Sequence, residues 1–74
     1  MNKKIRAYTI AGITTTDFDQ ALQLQRQEIR GYVAALQQYP YYQGAKMRRE
    51  LLKMNPGALE SLVRYAKVKY GDPA

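Results

Sequence analysis

The stretch from Thr16 to Gln38 constrains the fold most. At ~100° per residue, Phe18, Leu22, Ile29, Val33 and Leu36 fall on one line of a helix, with Ala21 and Tyr32 widening it. Gln25 is the only polar residue inside that arc, which covers about a third of the circumference. Thr16 offers a hydroxyl to the unpaired N–H groups of a first turn, and Asp17 and Asp19 suit its positive end. Pro40 stops the helix, because the residue before a proline is pushed out of the α region. A helix over 16–38 with one continuous apolar stripe needs partners for that stripe, and the rest of the chain is read as supplying them.

Two further helices follow from the same reasoning. Over 45–54, Met47, Leu51 and Met54 form an apolar ridge with Leu52 on its flank, while Lys46, Arg49 and Lys53 form a separate basic ridge. Arg48 falls between Leu51 and Leu52, so its stem is expected to cover core and its guanidinium to reach out. Asn55 is a good N-cap and Pro56 a natural first helical residue. The last helix then spans 56–70 on a stripe of Leu59, Leu62, Val63, Ala66 and Tyr70, with Gly71 as C-cap and Lys67 and Lys69 at the negative end. Between the first two helices, the tyrosines of Tyr39-Pro40-Tyr41-Tyr42-Gln43-Gly44 are expected to close the end of a small core.

Ahead of the long helix, Lys4 to Ile13 holds Ile5, Tyr8, Thr9, Ile10 and Ile13, residue types that suit a strand. A lone strand cannot satisfy its own backbone groups. Residues 1–15 are therefore expected to be an extended arm, or a single strand pairing with a second copy or a partner, with Gly12 marking a bend. The resulting expectation is one all-α domain of 74 residues, three helices preceded by that arm.

Composition removes most chemistry. There is no cysteine, no histidine and no tryptophan, so the usual metal sets and acid–base or nucleophile sets are missing. Asp17 and Asp19, two residues apart on a helix, point in different directions, and the glycines are scattered singly rather than gathered in a phosphate loop. The chain is thus expected not to be an enzyme, with no catalytic residue, no metal and no cofactor. No apolar run approaches the ~18 residues of a transmembrane helix, and a cysteine-free chain fits the cytoplasm.

Twelve Lys and Arg against six Asp and Glu give a formal net charge of +6, which points to polyanions or an acidic protein surface. Basic residues gather at the two ends, and Arg26 and Arg30 are offset by Asp17, Asp19 and Glu28 in the middle. The expected contact surface is Lys3, Lys4, Arg6, Lys46, Arg49, Lys53, Arg64 and Lys67. A basic helix, a short turn at Asn55-Pro56-Gly57 and a helix with Arg64 and Lys67 have the outline of a helix-turn-helix. Lys53 stands where that motif places a small buried residue, and the front of the last helix reads Gly57, Ala58, Glu60 and Ser61. Phosphate contacts are therefore expected to outweigh base contacts.

Two function classes follow, a nucleic-acid-binding protein and a module whose basic face meets an acidic protein. On the long helix, Leu24, Gly31 and Ala35 share an edge beside the main stripe. Glycine inside a helix costs ~1 kcal/mol against alanine, so this edge is a candidate surface for a homodimer.

Overall fold

The computed structural model describes residues 6–73. Two short strands, β1 (Tyr8–Ile10) and β2 (Ile13–Thr15), lead into α1 (Phe18–Leu36). A 3-10 turn over Pro40–Tyr42 then connects to α2 (Ala45–Leu52) and α3 (Pro56–Tyr70). The described chain is mostly helical with three α-helices, as expected, but it is not purely so.

The expectation of a lone strand or extended arm is corrected. β1 pairs antiparallel with β2 of the same chain, Tyr8 opposite Thr15 and Ile10 opposite Ile13. The turn is made by Ala11 and Gly12, both with positive φ (52° and 80°). Two left-handed central residues match the right-handed twist of the strands and allow a two-residue hairpin. Thr9 and Thr14 add a cross-strand hydroxyl contact of 3.0 Å. Residues 1 to 5, including Lys3 and Lys4 of the expected basic arm, lie outside the described residues.

The helix N-terminus is also corrected. Asp17, not Thr16, is the N-cap: its Oδ1 accepts from the Asp19 N–H at 2.9 Å and the Gln20 N–H at 3.4 Å. A carboxylate is the stronger acceptor for those donors and also meets the positive helix end. Thr15, in turn, accepts from the Asp17 N–H at 3.1 Å. At the other end the helix stops at Leu36, two residues before the expected boundary, and α2 stops at Leu52, also two residues early. α3 runs over the expected span, with Asn55 Oδ1 accepting from the Ala58 N–H at 2.8 Å.

One cluster forms the core: Val33, Leu36, Tyr39, Tyr42, Leu51, Leu59 and Ala66 are buried together, and Leu36 and Leu59 are completely enclosed. Ile29 and Leu62 only border it. Phe18 was expected on the buried stripe but is 58% exposed, and Tyr70 is 42% exposed. Phe18 misses the core because only the C-terminal half of α1 is covered by α2 and α3. Its N-terminal half is covered by the hairpin, where Ala21 is buried and Phe18 meets Tyr8 with ring centroids 5.9 Å apart. Two packing units strung along one helix make the molecule long, 54 × 23 × 16 Å. Its radius of gyration of 15.1 Å compares with about 11 Å for a compact chain of this length.

Among the described residues, no helix is long and apolar enough to cross a membrane.

Candidate anion-binding cleft

Gln37 decides how α2 lies against α1. Its side-chain N–H group donates to the carbonyl oxygens of Tyr42 (3.1 Å) and Gly44 (3.0 Å), fixing the whole turn to the end of α1. Gln37 stands on the same helical line as Val33, Arg30 and Arg26, at steps of four, three and four residues. The turn therefore returns α2 along the line that carries these two arginines.

The result is an open cleft of ≈ 310 Å³ lined by Arg26, Ile29 and Arg30 of α1 and by Arg48 and Leu52 of α2. Two of its lining residues, Ile29 and Leu52, are apolar, and the other three are arginines. Among the described residues, no carboxylate lines the cleft. The ion pairs among the described residues, Lys53 with Glu50 at 3.8 Å and Arg64 with Glu60 at 2.6 Å, involve none of the three. Guanidinium forks of this kind match the oxygens of phosphate or carboxylate in bidentate geometry.

Of the carboxylates of α1, Glu28 lies about 160° around the helix from Arg26 and Arg30, whereas Asp19 stands two turns before Arg26 on nearly the same line. Burial raises the pKa of Tyr32, and the carboxylates of Glu60 and Glu28 raise it further against the opposing effect of Arg64. Glu28, Glu60 and Arg64 are thus the charged groups that act on Tyr32.

The expected contact residues do not form one surface. Lys46, Arg49 and Lys53 are exposed on α2, roughly 100–160° around that helix from Arg48. Arg64 and Lys67 belong to the other flank. Lys67 lines a separate cleft with Ala35 and Val63, and Ala35 is roughly 140–180° around α1 from Arg30 and Arg26. Arg6 is exposed just before the hairpin. Of the proposed self-association edge, Leu24 is half-buried, Ala35 borders α3, and Gly31 is exposed with nothing within 4 Å of where a Cβ would stand.

Arg26, Arg30 and Arg48 were missed as a group. Counting charge along the segment set the first two against Asp17, Asp19 and Glu28, although Glu28 points about 160° away from Arg26. The available signal was the spacing: Arg26/Arg30 and Arg48/Leu52 are both i,i+4 pairs, each presenting one side of a helix. Among the described residues, no group of acidic side chains is gathered to hold a metal ion.

No protein-family model matches this chain, and no curated protein or solved structure does so either.

Proposed function

We propose that this chain is a small non-enzymatic nucleic-acid-binding protein that grips phosphates through Arg26, Arg30 and Arg48, with the Lys46/Arg49/Lys53 ridge extending the contact. The carrying observation is the cleft itself, which three arginines from two helices line, with no carboxylate among its described lining residues. The net charge of +6 adds long-range attraction to a polyanion. α2 and α3 each pack chiefly on α1, with little packing on each other. This favours a phosphate-gripping face over a helix-turn-helix that inserts α3 into a groove. The same reading keeps the protein in the cytoplasm with its target. A homodimer through the Gly31 edge would double the basic surface.

The test is fluorescence anisotropy with a mixed-sequence duplex and a mixed-sequence single strand over a salt series. Affinity should fall steeply with salt. R26Q/R30Q/R48Q should weaken binding and reduce the slope of log K against log salt by up to about 3 for duplex. Absence of binding to either nucleic acid at low salt overturns the reading and turns attention to an acidic protein partner, whose carboxylates suit the same cleft.

A further inference from the structure

The end of the molecule farthest from the hairpin exposes aromatic surface that the core does not use. Tyr41 is 67% exposed and Tyr70 42%. Their rings lie 24° from parallel with centroids 6.4 Å apart, toward the outer end of the range for stacked pairs. Their positions are fixed from behind. Tyr41 meets the buried Tyr42 edge-on at 5.0 Å, and Tyr70 contacts the buried Tyr39 at 5.9 Å. Lys69 carries its ammonium 5.5 Å from the Tyr70 ring centre and 5.6 Å from that of Tyr65. Tyr41 and Tyr70 line an open, mainly apolar cleft of ≈ 390 Å³ with Pro40, Pro73, Gln38 and Asp72.

These groups have a consistent chemistry. Preset tyrosine faces offer stacking to a flat ring at little cost in side-chain entropy. The Asp72 carboxylate is an acceptor only, so it disfavours a phosphate inside the cleft and favours N–H donors. The Lys69 ammonium beside the rings suits a phosphate just outside. We infer that this cleft takes one unpaired nucleobase, stacked on Tyr41 and Tyr70, with its N–H edge toward Asp72 and its phosphate toward Lys69. Guanine fits best, because it presents a ring N–H and an amino group side by side to one carboxylate. The inference rests on the nucleic-acid reading and narrows it to substrates with single-stranded character.

The test compares two 12-nucleotide strands that differ at one central position, guanine in one and an abasic site in the other. The protein should bind the guanine strand about tenfold more tightly, as expected for one stacked base. Tyr41→Ala, at an exposed position, should erase the difference without changing affinity for the abasic strand. Asp72→Asn should narrow the preference for guanine over thymine at that position. R26Q/R30Q/R48Q should weaken both strands alike. Equal affinity for the guanine and abasic strands, or no effect of Tyr41→Ala, overturns the inference while leaving the arginine cleft standing. If neither strand binds, the phosphate-gripping reading falls, and titration with guanosine monophosphate decides the base site separately. NMR shifts of the Tyr41 and Tyr70 rings on saturation uphold it, and unmoved rings overturn it.

Discussion

The Tyr39 hydroxyl donates a hydrogen bond of 3.0 Å to the carbonyl oxygen of Gly71, 32 residues further along the chain. It joins the turn after α1 to the residue that ends α3, so the long helix and the last helix are closed at one point. Gly71 can offer its carbonyl there because it adopts φ 79°, ψ −167°, a region open in practice only to glycine. Tyr39→Phe should cost about 0.5–1.5 kcal/mol by leaving that carbonyl short of a partner. Gly71→Ala should cost about 1–3 kcal/mol through backbone strain. Urea denaturation at constant m-value measures both, and an unchanged midpoint in either variant would show that the closure contributes nothing.

The core makes a graded prediction. Leu59 is fully enclosed, whereas Leu62, one turn away on the same helix, only borders the cluster. Leu59→Ala should cost ~2–5 kcal/mol, a large share of the stability of so small a domain. Leu62→Ala should cost clearly less. Equal losses in denaturation would mean that α3 is rotated relative to its described face.

How far the fold was legible depended on whether the signal was local. Asn55-Pro56 announced α3 because the cap and the first helical residue lie next to each other in sequence. The tyrosine turn was legible too: Tyr39 and Tyr42 are buried because a small tryptophan-free core needs their bulk. Phe18 misled, because the periodic stripe shows which way a residue points and not whether another element reaches it. The hairpin was missed at Ala11. Asn-Gly or Asp-Gly would have signalled a two-residue turn, but alanine at positive φ carries no such mark. The arginine cleft stayed hidden for a further reason. Arg48 meets Arg26 and Arg30 only after the turn held by Gln37 has folded α2 back on α1.

The hairpin turn therefore carries correctable strain. Ala11 has φ 52°, a conformation that asparagine and glycine tolerate better. Ala11→Asn, giving Asn-Gly, should stabilise the hairpin by a few tenths to about 1 kcal/mol. The gain should appear as slower amide exchange in β1 and β2. Faster exchange there would refute the turn assignment.

Alkaline pH should destabilise the fold. Burial is the largest cause raising the Tyr42 hydroxyl above its ordinary 10.0, so the unfolded chain ionises first and stability falls as pH rises past that value. Lys69 is also raised, by hydrogen bonding to Tyr65 and then by the charges of Tyr65 and Tyr70. Its contribution is complete below the unfolded ammonium pKa and is lost as pH climbs through the folded one. Both act in the same direction, so the thermal midpoint should drop above about pH 10. Tyr42→Phe should flatten part of that drop, and an identical profile would assign the loss to other groups.

Gly31 separates a monomer from a helix-paired dimer. It lies inside α1, exposed, with open space where a Cβ would stand. Nothing among the described residues uses the missing side chain, and β1 finds its partner in β2, so pairing of N-terminal strands is no longer needed to explain the hairpin segment. In a monomer, Gly31→Ala should simply stabilise the helix by about 0.5–1 kcal/mol, with a melting midpoint independent of concentration. If a second copy packs its backbone against this edge, the added methyl should instead weaken association, and the midpoint should fall as the protein is diluted. Analytical ultracentrifugation of the parent and variant chains at matched concentrations reads the difference. A dimer that survives Gly31→Leu unchanged would exclude the Leu24/Gly31/Ala35 edge as its interface.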